Sequence, residues 1–186
     1  MHPTPRIEVT RALRGAIDDA ALRLLARRVR IAARRMGVSA EQLGELGIRI
    51  VDDREMADLH LRYMGEPGPT DVLSFGGASE GVLGGVDMDA SDPDALDEDL
   101  LASMLPPPSF GDLALDWPQV LRQARVPTRR GLLDEASVLL VHGLAHLLGH
   151  DHRTREQARR MHALECVGLR ALRIADPPRP YAPWRG

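Results

Sequence analysis

Leucine, alanine and valine recur with the helical period from Ala16 to Met36, which predicts a long amphipathic helix near the start of the chain. Before it, Arg6-Ile-Glu-Val-Thr10 reads as a short strand. After it, Ser39-Ala-Glu-Gln42 has the form of a capping box and leads to a strand over Glu45 to Val51. Asp53 to Tyr63 reads as a helix, Thr70 to Phe75 and Asp112 to Leu115 as strands, and Pro118 opens a short helix. Two long helices close the pattern, Leu132 to Leu148 and Thr154 to Ile174. The tail that follows, Pro177-Pro-Arg-Pro-Tyr-Ala-Pro, is too rich in proline for helix.

At 186 residues and 44% hydrophobic, the chain buries a proper core without disulfides. The expected organisation is one domain over residues 1–176 and a loose extension over 177–186. Cys166 is the sole cysteine and falls in a helical pattern, where a small buried apolar side chain is expected. The N-terminus lacks the apolar core of a signal peptide and no run reaches membrane-spanning length, so a cytoplasmic protein is expected.

Charge is segregated. The net charge is −3, yet no basic residue occurs between Tyr63 and Leu121, and that segment holds 12 of the 27 acidic residues. The remainder carries 24 basic against 15 acidic residues, and every basic residue is arginine, which grips phosphate with a planar fork. Arg23, Arg27, Arg28, Arg30, Arg34 and Arg35 ride on the first helix; a solvated face is the default account of them and an RNA-facing patch the alternative. Residues 76–108 are rich in glycine, aspartate and proline. Asp87, Asp89, Ser91 and Glu98 fit positions of a calcium-loop template, but Asp92 stands where it needs glycine, and a solvated acidic loop is the preferred reading.

The chemistry is concentrated in Val141-His-Gly-Leu-Ala-His-Leu-Leu-Gly-His-Asp-His152. Residues four apart share a helix face, so His142 and His146 can point at one ion, at the usual zinc–nitrogen distance of roughly 2.0–2.1 Å. Gly149 can take the left-handed conformation that ends the helix, and the turn brings His152 back as a third ligand. Several imidazoles beside a leucine-rich core would be costly to bury without a common partner. Three protein ligands are the mark of catalytic zinc, whereas structural zinc has four, mostly cysteines. The expectation is one Zn²⁺ per chain on His142, His146 and His152. His150, just past the helix end, is expected in a loop or supporting role.

The spacing resembles the metzincin pattern His-Glu-x-x-His-x-x-Gly-x-x-His, but Gly143 stands where those proteases carry the glutamate that takes a proton from water. A zinc peptidase is therefore disfavoured. The residues instead resemble the YbeY family of bacterial metal-dependent endoribonucleases and rRNA maturation factors, whose signature is His-Gly-x-x-His-Leu-x-Gly-x-Asp-His. Pro69-Thr-Asp-Val-Leu-Ser-Phe75 and Gly111-Asp-Leu-Ala-Leu115 are similar to two further blocks of that family, in the same order. The resemblance implies a single α+β domain, a small mixed β-sheet packed with helices, with a zincin-like His-x-x-x-His helix ending in a glycine turn. It also implies a zinc-dependent, single-strand-type endoribonuclease in rRNA maturation (16S rRNA processing) and ribosome quality control. Its partners would be ribosomal RNA, the small ribosomal subunit and assembly factors, with neither membrane nor DNA. The alternative is a ribosome-associated assembly factor that keeps zinc and cleaves weakly or not at all.

One departure from the family stands out. An arginine commonly follows the aromatic residue before the Pro-Thr-Asp block, whereas this chain has Tyr63-Met64, with Glu66 where a basic residue is common. Arg62 lies two positions earlier and on a helix would point roughly 200° from Met64, so it substitutes only if the helix ends or bends there. Asp71 is, by the resemblance, a candidate proton acceptor or supporting partner; capping the turn before a strand is its other reading. No general base is identified.

Overall fold

The computed structural model describes residues 3–76 and 110–174. The calcium-template positions Asp87, Asp89, Ser91 and Glu98, the rest of residues 77–109 and the tail from Pro177 lie outside the described residues.

Four short strands form one sheet: β1 Arg6–Val9, β2 Gly47–Val51, β3 Val72–Phe75 and β4 Asp112–Asp116, in the order β1-β2-β4-β3. The first two pairings are parallel, with Ile7 opposite Ile48 and Ile50 opposite Leu115, and β3 runs antiparallel to β4 with Ser74 opposite Leu113. A parallel pair cannot be joined by a tight turn, so the chain crosses from β1 to β2 through helix. That crossover contains α1 (Asp19–Arg35) and α2 (Ala40–Glu45). The other helices among the described residues are α3 (Asp53–Met64), α4 (Trp117–Gln123), α5 (Arg129–Leu147) and α6 (Arg155–Ala171). The result is a small mixed sheet packed with helices, an α+β fold, as expected.

Strand alternation decides which helix goes where. Ile48, Ile50, Leu113 and Leu115 point to one face and join the main core with Leu25, Val29, Leu140, Leu144 and Met161 from α1, α5 and α6. Val51, Leu73 and Ala114 point to the other and pack with Met56 of α3. Helix α5 is buried on most of its circumference between the sheet and its helical neighbours, which is why its sequence is apolar nearly all round.

Caps moved several boundaries from where apolar periodicity placed them. Asp18 accepts from Ala21 N at 2.7 Å, so α1 starts three residues after Ala16. Thr128 accepts from Gly131 N at 3.2 Å and starts α5 three residues before Leu132. Thr154 and Gln157 form a reciprocal capping box, so Thr154 precedes the last helix rather than joining it. Each such cap is worth about 1 kcal/mol. Asp116, wholly buried, caps α4 through Gln119 N at 3.0 Å; burial, with Asp53 beside it, pushes its carboxyl up to about 6. No described helix is long and apolar enough to cross a membrane.

Candidate metal centre

Helix α5 carries His142 and His146 one turn apart and then stops in a Schellman arrangement. His150 N donates to Ala145 O at 3.0 Å and Gly149 N to His146 O at 2.8 Å, with Gly149 at φ 81°. Only glycine takes that conformation without strain. The reversal returns His152 to the face just left, so one nitrogen from each of His142, His146 and His152 lies within 4.8 Å of the others. Their ring centroids are 4.7 to 5.5 Å apart. This donor set fits a divalent ion of the zinc type.

The ring of His142 is held from behind. Its Nδ1 donates to Glu165 Oε1 at 2.8 Å, which leaves Nε2 for the ion. Glu165 is 5% exposed, and its second oxygen lies 3.6 Å from His162 Nδ1. Sequence reasoning missed this residue, although a signal existed: a carboxylate in the middle of the Met161, Gly168, Leu169 stripe of α6 must be matched inside the core. Asp151 supports the turn, accepting from His152 N at 2.7 Å while its other oxygen pairs with Arg153 Nε at 2.9 Å. Glu165→Ala is expected to weaken metal affinity about 10- to 100-fold in chelator competition, with Glu165→Gln intermediate. Unchanged affinity in both would remove Glu165 from the metal's support.

Burial, reinforced by the neighbouring His142 and His152, pushes the His146 ring down to about 4, so it is a neutral, ligand-ready imidazole at neutral pH. Unfolded, the ring titrates at 6.5, so between those values only the unfolded chain holds the proton and falling pH favours unfolding. Asp116 acts in the opposite sense, since its folded carboxyl keeps the proton to about 6 and its unfolded one loses it at 3.8. Denaturant melts of metal-free protein should therefore be nearly flat from pH 4 to 6. Asp116→Asn, which removes that opposing carboxyl, should gain stability with rising pH over that range. A flat profile in this variant contradicts a neutral His146.

Gly143, where metzincins carry glutamate, packs closely. A Cβ at Gly143 would lie 2.8 Å from Leu113 Cδ2, 3.3 Å from Val72 Cγ2 and 3.4 Å from Ser74 Oγ, so this position is pressed against the sheet. Ser74 Oγ also donates to Gly143 O at 3.3 Å. The adjoining histidine face opens into a cleft of about 910 Å³, walled by the α5 turn, by β3 through Val72 and Ser74, and by the end of α3 through His60, Met64 and Glu66.

The candidate residues divide around this cleft. Met64 lines it and is 52% exposed. Helix α3 runs regularly through Met64 to a left-handed Gly65, so the bend that Arg62 would need does not occur, and Arg62 does not line the cleft. Asp71 is outside the lining too: its Oδ1 accepts from Gln123 Nε2 at 3.0 Å, and its carbonyl accepts from Asp116 N at 2.9 Å. His150 lies in the turn and lines the cleft without joining the ligand cluster. Among the described residues the one arginine lining the cleft is Arg153, which sequence reasoning did not single out. Cys166 is half-buried rather than buried, with Sγ 3.5 Å from His162 Nε2.

Residues 10–173 match the family model described as Endoribonuclease YbeY. The chain belongs to the YbeY family. Similar relatives, each named Endoribonuclease YbeY, include that of Acidothermus cellulolyticus, 41% identical over 131 residues, covering 70% of this chain and 72% of the relative. The Frankia alni relative is 37% identical over 145 residues, covering 78% and 70%, and that of Frankia casuarinae is 37% identical over 160 residues, covering 86% and 70%. YbeY membership extends well beyond the histidine motif, since the matched span runs from the end of β1 to just past α6.

Proposed function

We propose that this chain is a zinc-dependent endoribonuclease that cuts single-stranded RNA during rRNA maturation, with precursor 16S rRNA and the small ribosomal subunit as its targets, and that it serves ribosome quality control in the cytoplasm. The observation that carries the reading is the convergence of three imidazoles in an open cleft, with glycine at position 143 in place of a peptidase glutamate. Membership in a family whose relatives are named endoribonucleases supplies the substrate class. Three neutral ligands leave a bound Zn²⁺ its full charge, which lowers the pKa of water toward roughly 7 and stabilises charge developing on a phosphate.

The chain's own residues supply the rest. Glu165 orients His142, the Gly149 turn sets His152, and the histidines face an open cleft. Its weak point is positive charge. Glu66 and Asp151 line it, Met64 stands at the position where the resemblance expects arginine, and among the described residues Arg153, paired with Asp151, is the arginine in place to contact a phosphate.

Met64→Arg should therefore raise cleavage of single-stranded RNA roughly tenfold, equivalent to about 1.4 kcal/mol of barrier, with unchanged zinc content and a gain that shrinks at high salt. Arg153→Ala should lower it. If neither substitution changes cleavage or RNA affinity while wild-type protein binds zinc and ribosomal RNA, the assembly-factor reading replaces the nuclease.

A further inference from the structure

Helix α1 lays its buried residues Ala21, Leu25, Val29 and Ala32 against the core. On the opposite side Arg23, Arg27, Arg30 and Arg34 follow one another at spacings of four, three and four, which puts all four on a single stripe about 16 Å long. Three of them are exposed and Arg30 is half-exposed. Among the described residues no carboxylate forms an ion pair with any of the four. An ordinary solvated face mixes signs, because like charges three and four apart destabilise a helix and opposite charges stabilise it. The run of arginines from Arg23 to Arg34 carries one sign only.

The stripe has a flank of matching character. A groove of about 290 Å³ runs beside it, lined by Leu24, Arg27, Arg28 and Ile31 of α1 and by Arg130 and Arg173. The carboxylate there, Asp134, is already engaged by Arg28 and Arg130. The stripe also has a direction. Helices α1 and α5 start together, where Arg129 pairs with Asp18 at 3.0 Å, and Met36 just past the end of α1 packs beside Gly168 of α6, which also adjoins Val141, the residue preceding His142.

We propose that the Arg23, Arg27, Arg30, Arg34 stripe of α1 is a docking surface for the phosphate backbone of RNA, separate from the metal cleft. At a stacked rise of about 3.4 Å per nucleotide it accommodates roughly five phosphates. It carries no aromatic side chains for stacking, so it holds RNA without reading its sequence. Its role is to raise the affinity of long RNA for a cleft that is itself poor in cations. The inference rests on the endoribonuclease reading.

The test is the zinc-loaded full chain carrying Arg23→Gln, Arg27→Gln, Arg30→Gln and Arg34→Gln together, with a 20-nucleotide single-stranded RNA as probe. The slope of log affinity against log salt, between 50 and 200 mM, should become shallower by about 3, at roughly 0.7 per phosphate contact. KM for cleavage should rise at least tenfold while kcat changes less than threefold, with zinc content unchanged. Should the fourfold variant fail to fold, the four single variants serve, each lowering the slope by about 0.7. Unchanged affinity and slope in a variant of a wild type that cleaves RNA overturn the docking surface alone, whereas a wild type that neither binds nor cleaves RNA overturns the nuclease reading. Stripe-dependent binding to vesicles containing phosphatidylserine, without an effect on RNA, assigns the surface to a membrane and overturns the proposal.

Discussion

His146→Ala is expected to reduce bound metal from one equivalent to less than about a tenth and to lower RNA cleavage at least 1000-fold. The proposed centre rests on three imidazoles, and losing one leaves two to hold a divalent ion in a cleft open to water. A 1000-fold loss corresponds to about 4 kcal/mol of barrier, within the several kcal/mol that a Lewis-acidic metal supplies to phosphoryl chemistry. The fold should survive, because α5 is held to the sheet by Leu139, Leu140 and Leu144 rather than by the imidazole. Metal content by mass spectrometry and cleavage of a structured ribosomal RNA fragment measure both effects. Full metal in this variant would mean that other groups bind the ion. Lost metal with intact cleavage would mean that the chemistry lies elsewhere.

Gly143→Glu should have the largest effect on stability. It installs the metzincin residue, but the new Cβ meets Leu113 and Val72, and a carboxylate is added where α5 packs on β3. Overpacking costs about 1–3 kcal/mol, and an unpaired buried charge adds several more unless the group is neutralised. The variant should lose about 3 kcal/mol or more, a fall in Tm of roughly 6–12 °C for a chain of this length. It should gain no peptidase activity. Gly143→Ala, with a methyl facing the flexible end of Leu113, should lose much less. A Gly143→Glu protein as stable as wild type that cleaves casein would mean that position 143 faces the metal, and would revive the peptidase reading.

The three-histidine cluster was legible in the sequence because helix period and a glycine stop are local rules. His142 and His146 needed only the four-residue spacing, and Gly149 announced the turn that returns His152. The helices and strands were equally legible in kind, while their ends depended on side-chain caps such as Thr128, four residues before the apolar pattern begins. What was not legible required contacts across the fold. Glu165 reaches His142 from 23 residues away, and Gly143 is small because of Leu113 and Val72 on strands far earlier in the chain. Asp71 turns to Gln123 instead of the cleft, a choice made by the packing of α4 and invisible in a motif.

The most direct measurement is a titration of metal-stripped protein with Zn²⁺, following cleavage of single-stranded ribosomal RNA in wild type, His152→Gln and His150→Gln. Wild type and His150→Gln should regain cleavage in proportion to added zinc and reach a plateau at one equivalent per chain, while His152→Gln should need far more zinc or stay inactive. Cleavage that persists in the stripped protein, or equal loss in the His150 and His152 variants, would contradict a catalytic centre built on His142, His146 and His152.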